Sequence, residues 1–291
     1  MVKFLISGCL ERVEGDSAPW ETLVNRIDAL QNSSHGPFDC IFVAGSLFEE
    51  EDVFKTACAS SLRIAIPLYA IKKPLFVSDQ ALPHNVHYLG SDKDGYGIDT
   101  LHELTVCWTN ESNHSKGLAQ LESLCMSSSY RGCDVLLSSS WPNNTHHFLD
   151  PEELKELRSM DVALGAGSTE VAKVALTVKP RYHFSGGDSV RKIFWARVPY
   201  TNPGGAHTTN ARAPATRFIS LGRVSATKVK TLKWMHALTL DPIVHVALDR
   251  IDTLPAGTRS TDCPYLDTVA VQRTVRKRCH PEDNPLHTIH D

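Results

Sequence analysis

In the segment Phe38-Asp-Cys-Ile-Phe-Val-Ala-Gly-Ser-Leu-Phe48, an unbroken apolar run ends at a glycine. Such a run is typical of a strand that is buried on both faces, and the turn signal His35-Gly-Pro37 comes just before it. Similar short runs lie at residues 3–7 and 64–70. Apolar residues at helical spacing separate the three runs, at residues 19–30 and 49–61. Strands that alternate with helices predict a parallel sheet.

The rest of the chain continues as a mixed pattern of strands and helices. We predict strands at residues 86–89, 101–108, 133–139, 181–184, 192–198, 217–221 and 233–240, and helices at 118–125, 151–159 and 169–177. The glycine-rich string Gly165-Ala-Gly-Ser-Thr169 lies between two of these helices and lacks the lysine of a phosphate-binding loop. We interpret it as a turn in which Ser168 or Thr169 caps the next helix.

Composition limits the classes of function. The formal net charge is −3, with 42% hydrophobic and 22% charged residues, which gives no overall attraction to nucleic acid. The apolar run at residues 3–7 is too short for a signal peptide or a membrane span. Eight cysteines are scattered without a framework spacing, most of them in apolar runs. This pattern indicates an intracellular protein with small, reduced core cysteines and no membrane partner.

The pattern weakens after Pro242. We therefore predict one domain at residues 1–242 and an extension or linker at residues 243–291 that docks on a partner. The extension contains a basic run, which is more often a solvated or nuclear-targeting stretch than an RNA contact. The candidate contacts with RNA or a protein partner are Arg181, Arg273, Arg276, Lys277 and Arg278.

Several short strings together resemble one known family. They are Gly36-Pro-Phe-Asp39, Asp134-Val-Leu-Leu137 followed by Trp141-Pro142, Lys179-Pro-Arg-Tyr-His-Phe184, Val198-Pro-Tyr200 and Ala215-Thr-Arg-Phe-Ile219, with Val13-Glu-Gly15 and Leu23-Val-Asn-Arg-Ile27 in support. Over roughly residues 1–240 the chain resembles the amino-terminal domain of the CwfJ family, proteins associated with the lariat-debranching enzyme. The resemblance implies a metallophosphoesterase-like αββα sandwich, here with a less regular C-terminal extension.

Active members of that larger fold hold two metal ions about 3.5–4 Å apart at the carboxyl ends of the strands. The ligands come from Asp-x-His or Cys-x-His, Gly-Asp, Gly-Asn-His, a later His, and Gly-His-x-His. At Gly45-Ser46 a serine replaces the bridging aspartate, and Lys72-Lys73 replace Asn-His. Serines also stand at 139 and 140, before Trp141, and Ser185-Gly-Gly187 lacks a His-x-His pair.

We therefore predict a vestigial pocket without a metal site or cofactor. Its members are Gly8, Glu11, Arg12, Glu14, Gly45, Ser46, Lys72, Lys73, Ser139, Trp141, His183 and Ser185. Glu11, Glu14 and His183 are the remaining candidate ligands, and they are too few for a coordination sphere. His183 is better interpreted as a hydrogen-bonded core or pocket residue.

Other signals leave alternatives open. Arg12, Lys72 and Lys73 could hold a phosphate or an acidic partner segment, or they could be solvated loop cations. The pair His146-His147 is more typical of an exposed loop than of a metal site. A zinc site from Cys263, Cys279, His287 and His290 is weakly indicated, because no Cys-x-x-C pair is present.

The family resemblance and the missing ligands together predict a non-catalytic, nuclear pre-mRNA splicing factor. Its expected partners are the lariat-debranching enzyme, spliceosomal snRNP proteins, and intron RNA or snRNA. One alternative is an active metal-dependent phosphoesterase or nuclease with a degenerate site. The other is a purely structural subunit of the spliceosome. Fold alone does not choose among them.

Overall fold

The structure, a computed structural model, describes residues 1–12, 18–77, 82–90, 95–110, 115–127, 129–165, 167–186, 192–203, 213–227, 229–251 and 254–267. Its elements in chain order are β1 (Val2–Ser7), α1 (Pro19–Gln31), β2 (Cys40–Ser46), α2 (Glu51–Ala59), β3 (Leu68–Lys72), β4 (Val86–Tyr88), β5 (Tyr96–Leu101), β6 (Leu104–Thr109), α3 (Ser115–Cys125), β7 (Cys133–Ser138), α4 (Pro151–Ser159), α5 (Thr169–Val178), β8 (Pro180–Ser185), β9 (Trp195–Ala196), β10 (Tyr200–Thr201), β11 (Ala215–Ser220), β12 (Met235–Leu240) and β13 (Thr261–Asp262).

The first sheet has the strand order β12-β1-β2-β3-β4. Strands β1 to β4 are parallel, and β12 closes one edge antiparallel to β1. The parallel arrangement predicted from the alternating pattern is confirmed. Parallel strands need a crossover that covers a face of the sheet, and α1 and α2 supply it after β1 and β2.

The second sheet has the order β13-β10-β11-β8-β7-β6-β5, and β9 pairs with β11. Its centre, from β6 through β7 and β8 to β11, is parallel. The edge strand β5 is antiparallel to β6, so the two form a hairpin.

The two sheets pack face to face between outer layers of helix. One buried cluster between the sheets contains Phe4, Ile6 and Phe42 from the first sheet and Val135, Leu137 and Phe184 from the second. The outer face of the first sheet packs against Trp20 and Leu23 of α1 and Phe54 of α2. The outer face of the second packs against Leu121 of α3 and Val174 of α5. The predicted αββα sandwich is confirmed.

Three predicted strands differ from the structure. The strand predicted at residues 101–108 is interrupted by a turn, because His102 and Glu103 both have positive φ. Hairpin turns with positive φ usually contain glycine or asparagine, and neither residue is present here, so the sequence does not predict the turn. Strand β3 begins at Leu68 rather than at residue 64, just after Pro67, which has no N–H to donate to a ladder. Within residues 192–198 only Trp195–Ala196 is a strand.

The chain after β12 returns to the second sheet. Ile243 is buried and its N–H donates to the Asp134 carboxylate at 2.9 Å. Strand β13 pairs with β10, and Tyr265 is buried beside Tyr200. Residues 268–291 lie outside the described residues. Among the described helices, none has the length and apolar character that a bilayer crossing requires.

Candidate functional site

The carboxyl ends of the central strands of both sheets meet at one edge of the sandwich. We call this edge the rim and define it as residues 8–12, 45–49, 138–141, 185–186 and 220–222. In open parallel sheets ligands bind at such an edge. The rim contains most of the predicted pocket, except Glu14, which lies outside the described residues, and Lys72, Lys73 and His183, which lie next to it.

Glycines bring the backbones of the rim into direct contact. A Cβ atom on Gly186 would lie 1.5 Å from the carbonyl oxygen of Ala44. A Cβ on Gly45, where φ is +153°, would lie 3.3 Å from Cβ of Cys9 and 3.4 Å from Cα of Gly186. A Cβ on Gly8 would lie 1.9 Å from the carbonyl oxygen of Gly222. The ends of the two sheets are therefore joined by backbone at the place where the resemblance predicts the vestigial metal pocket.

Ser46 closes its own turn. Its hydroxyl is buried and donates to the carbonyl of Phe48 at 3.2 Å, while its carbonyl accepts from the N–H of Leu10 at 2.9 Å. A serine hydroxyl used in this way stabilises the loop after β2. It offers no anionic oxygen to a divalent cation, which prefers carboxylate ligands.

His183 belongs to the core. Its Nε2 lies 2.9 Å from Oγ of Ser138, and that hydroxyl donates to the carbonyl of Ser140 at 2.8 Å. Because the hydroxyl proton is used there, His183 Nε2 carries the proton and donates. Among the described residues Nδ1 has no partner, and the ring packs on Phe218 at 5.1 Å. Burial lowers the pKa of His183 to about 3, so the ring is neutral.

Lys192 supplies a cation from within the chain. Its ammonium lies 2.6 Å from a carboxylate oxygen of Glu11 and 3.4 Å from one of Glu49, and its side chain is 8% exposed. Burial alone lowers the pKa of Lys192, but interactions with its neighbours, including the hydrogen bond to Glu11 and the charges of Glu49 and Glu11, outweigh burial and raise the pKa. Burial raises the pKa of the Cys9 thiol to about 12. At neutral pH the two carboxylates therefore hold the lysine proton.

Sequence reasoning missed Lys192 as a site residue. The lysine is 181 residues from Glu11 and 143 from Glu49 along the chain. In the sequence it is only the first residue of a predicted strand. A separation of this size gives no local spacing signal, so only the fold reveals the contact.

The predicted basic residues have separate surroundings. Arg12 forms an ion pair with Asp52 at 2.8 Å, in which both side chains are more than half exposed. Lys72 is exposed at the end of β3, where it pairs in register with Ser46, and Lys73 is half-buried. The charge of Arg12 is therefore offset by the first turn of α2. This contact favours a solvated loop cation over a phosphate ligand at Arg12.

Aromatic side chains fill the side of the rim that belongs to the second sheet. Trp141 donates from Nε1 to Oγ of Ser220 at 2.7 Å and stacks on Trp195 at 5.3 Å. Ser185 is buried, and its carbonyl accepts from the N–H of Leu221 at 2.9 Å. The backbone N–H of Ser139, a half-buried residue, donates to the carbonyl of Thr109 at 3.4 Å. Trp141, Ser139 and Ser185 thus serve packing and backbone pairing.

These residues do not fit a two-metal centre. In the part of the chain that the structure describes, no group of three His, Cys, Asp or Glu side chains is arranged to hold a metal ion. The two carboxylates of the rim, Glu11 and Glu49, are both paired with Lys192. A metal would have to displace this buried ammonium.

Other predicted site residues lie elsewhere. Arg181 forms an ion pair at 2.9 Å with the fully buried Asp134, near the opposite edge of the second sheet. Cys263 of the weakly indicated zinc site is buried in a hydrophobic cluster. Outside the described residues lie Arg273, Arg276, Lys277 and Arg278, and also Cys279, His287 and His290.

Comparisons with known proteins identify relatives over most of the chain. No protein-family model matches. CWF19-like protein 1 of Mus musculus is 26% identical over 270 residues, which cover 86% of this chain and 47% of the mouse protein. The homologue of that protein in Caenorhabditis elegans is 24% identical over 283 residues, which cover 88% of this chain and 48% of the worm protein. Zinc finger CCCH domain-containing protein 64 of Arabidopsis thaliana is 24% identical over 278 residues, which cover 84% of this chain and 42% of the plant protein.

Two solved structures are also similar. Vps29 of Chaetomium thermophilum has a TM-score of 0.33 at 10% identity, covering 83% of this chain and 84% of Vps29. Purple acid phosphatase PPD1 of Lupinus luteus has a TM-score of 0.43 at 9% identity, and the match covers 80% of this chain and 47% of the phosphatase. The chain spans about half the length of the curated relatives it matches. Over most of its length the chain is thus similar to CWF19-like proteins, which supports its resemblance to the CwfJ family.

Proposed function

We propose that this chain is a non-catalytic RNA-processing factor that acts in the nucleus during pre-mRNA splicing and the turnover of intron lariats. The observation that carries the proposal is the rim, where glycine contacts and the Lys192 ammonium occupy the place of a dinuclear metal centre. The family resemblance supports the process, and the residues of the rim support the absence of hydrolysis.

The chemistry of phosphodiester hydrolysis supports the non-catalytic part. Two metal ions generate the attacking hydroxide and stabilise the attacking and leaving oxygens. Around the rim, Ser46 is a neutral hydrogen-bond donor within its own turn, and the buried His183 is hydrogen-bonded to Ser138. The charged group between the two carboxylates is the Lys192 ammonium. An ammonium donates hydrogen bonds, but it cannot bind a water molecule as a metal ion does and convert it to the attacking hydroxide.

A rigid sandwich without a reaction centre can still present surfaces. We propose that these surfaces bind the lariat-debranching enzyme, spliceosomal snRNP proteins, or intron RNA or snRNA. The basic run with Arg273, Arg276, Lys277 and Arg278 is the proposed contact. Arg181, the other candidate contact, forms an ion pair with the buried carboxylate of Asp134.

A hydrolysis assay tests the absence of catalysis. The purified chain is incubated with Mn²⁺ and a model phosphodiester, and separately with branched RNA. We expect no metal-dependent turnover above a chain-free control. An active chain whose turnover requires Mn²⁺ and disappears on chelation would contradict the proposal and favour a degenerate phosphoesterase.

A pull-down from nuclear extract tests the partners. Wild-type chain and a variant with the four basic residues at 273, 276, 277 and 278 changed to Ala are compared, with and without ribonuclease. We expect spliceosomal proteins or the debranching enzyme with the wild type, and less of them with the variant. The matched control is Arg12→Ala/Lys72→Ala, which removes two cations near the rim. Recovery of neither class of partner would contradict the proposal.

A further inference from the structure

Strand β12 is an open edge of the first sheet. In its ladder with β1 the N–H of Gly8 donates to the carbonyl of Trp234, so residues that bond to β1 alternate with residues that face away from it. The backbone groups of Met235, Ala237 and Thr239 therefore point outward at the edge. Among the described residues, none of these groups has a hydrogen-bond partner. The edge thus offers donors and acceptors to a further strand.

The other edges of the two sheets, as far as the chain is described, are protected. Strands β4 and β13 are only three and two residues long. On β5 the outward N–H of Thr100 donates to the carboxylate of Asp99 at 2.7 Å. Sheets commonly protect their edges in such ways, because an unprotected edge pairs readily with another chain. Strand β12 spans six residues and contains no Asp, Glu, Lys, Arg or Pro, so it lacks this protection.

The second sheet extends beyond β12. The ring of His236 on β12 packs on Phe184 of β8 at 5.6 Å, and the second sheet continues past β8 through β11, β9 and β10. Ala196 of β9 pairs with Ile219, whose side chain lies between the sheets, yet Ala196 is exposed. The inner face of the second sheet is therefore uncovered beside β12. One extended strand fits there, whereas a second copy paired through β12 would bring two overhanging sheets together.

A lysine without a counter-ion lies at the start of this edge. The Lys233 ammonium lies 4.8 Å from the ring centre of Phe194 and 3.5 Å from Nδ1 of His236. Burial lowers the pKa of Lys233, and no carboxylate acts to raise it. Burial and the charge of Lys233 together lower the pKa of His236 to about 4, so the histidine is neutral. A carboxylate on a docked strand would supply the counter-ion that Lys233 lacks among the described residues.

We propose that the β12 edge binds an extended segment of a protein partner, which adds one strand to the first sheet and places an acidic side chain on Lys233. In this mode of recognition, backbone hydrogen bonds supply affinity and alternate side chains supply specificity. The segment runs antiparallel to β12, the more stable direction of pairing, so its acidic side chain follows the paired residues. The proposal does not depend on the absence of hydrolysis, because β12 is not part of the rim.

Fluorescence anisotropy with the full chain tests this proposal. The probe is a labelled synthetic peptide in which valine and threonine alternate over six residues and two aspartates follow. We expect saturable binding that weakens about fivefold when asparagine replaces both aspartates. No binding of the probe, or equal binding of the asparagine peptide, overturns the proposal.

Two methylated peptides distinguish strand addition from attraction between charges. In one the valine nitrogens carry methyl groups, and in the other the threonine nitrogens do. Only alternate residues of a docked strand face β12, so one methylated peptide should bind at least about tenfold more weakly than the probe and the other should bind like it. Equal binding of the two methylated peptides would contradict strand addition.

Variants of the chain locate the site. Ala237→Pro should weaken probe binding at least about tenfold, because proline has no N–H to donate. Proline is tolerated at an edge position whose N–H faces outward, so this variant should fold. Lys233→Gln should weaken binding about fivefold, and it decides the outcome if Ala237→Pro does not fold. Lys155→Gln, which changes an exposed lysine of α4, is the control and should bind like wild type. Equal affinity in wild type and Lys233→Gln overturns the proposal.

Sedimentation velocity of the full chain tests a second copy as the occupant. We expect a monomer at micromolar concentration, because the overhanging second sheet leaves room for a single strand only. A dimer that Ala237→Pro converts to a monomer would assign the edge to a second copy of the chain and overturn the proposal.

Discussion

At the residue scale, Lys192 and the carboxylates of Glu11 and Glu49 form a charge cluster in which the chain provides its own cation. A buried or half-buried carboxylate needs a partner, because removing charge from water is costly. In active members of the fold the partner is a metal ion. Here an ammonium at 2.6 Å from Glu11 has the role of the counter-ion.

Replacing Lys192 by Met should therefore destabilise the chain. We expect the free energy of unfolding to fall by about 1–3 kcal/mol, less than for a fully buried pair because Glu11 and Glu49 keep some contact with water. Lys55→Met, which removes an exposed ion pair with Glu51, should stay within about 0.5 kcal/mol of wild type. Urea denaturation measures both. Equal losses in the two variants would show that the buried Lys192 cluster stabilises the chain no more than an exposed ion pair does.

His183 makes stability depend on pH. Its pKa is about 3 in the folded chain because of burial, whereas an unfolded histidine has a pKa of about 6.5. Between these values the unfolded chain binds a proton that the folded chain does not. Stability is therefore present above about pH 6.5 and is lost as the pH falls toward about 3, by up to about 1.4 kcal/mol per pH unit.

The variant His183→Asn should remove this dependence while keeping a donor for Ser138. Between pH 6 and 4.5 we expect its unfolding free energy to change less steeply with pH than that of wild type, by about one proton. His236, whose pKa burial lowers to about 4, contributes a slope of its own that remains in the variant. Identical slopes for wild type and variant would contradict a neutral, buried His183.

At the element scale, the ends of β2 and β8 approach each other only because Gly45 and Gly186 have no side chains. The register that places these ends together comes from the packing of the two inner sheet faces. Close backbone approach is a use of glycine that a single sequence does not distinguish from a turn. The sequence therefore indicated the motifs at the ends of β2 and β8, but it did not predict the backbone contact between Gly45 and Gly186.

Gly186→Ala tests that contact. A Cβ atom 1.5 Å from the carbonyl oxygen of Ala44 has no room, so we expect a loss of at least about 3 kcal/mol in unfolding free energy. Gly165→Ala is the control, since nothing lies within 4 Å of its Cβ position and only its φ of +83° opposes the change. The control should lose about 1–2 kcal/mol. Similar losses in both variants would mean that the rim is open.

The helix α4 gives an independent test at the same scale. Asp150 and Glu153 form a capping box, in which the Asp150 side chain accepts from the N–H of Glu153 at 2.8 Å. Asp150→Ala should lower the unfolding free energy by about 1 kcal/mol. Ser168→Ala, which removes the predicted cap of α5 that the structure confirms, should cost a similar amount. A loss in both variants below a few tenths of a kcal/mol would contradict the assigned caps.

At the scale of the whole molecule, local patterns predicted more than long-range contacts did. Helices α1, α4 and α5 and the parallel strands follow from apolar periodicity, which packing only reinforces. The hairpin turn at His102-Glu103 was missed, because its positive φ values are held by the pairing of β5 with β6 rather than by turn residues. The contact of Lys192 with Glu11 was missed because the two residues are far apart in sequence.

The rim is closed by backbone contacts and by the ammonium of Lys192. The most direct measurement is an anomalous diffraction map from crystals of the full chain soaked in millimolar Mn²⁺. We predict that the map will show no manganese peak between the turns at Gly45 and Ser185, and that the Lys192 ammonium will lie against Glu11. Two manganese peaks about 3.5–4 Å apart at that position would contradict the account.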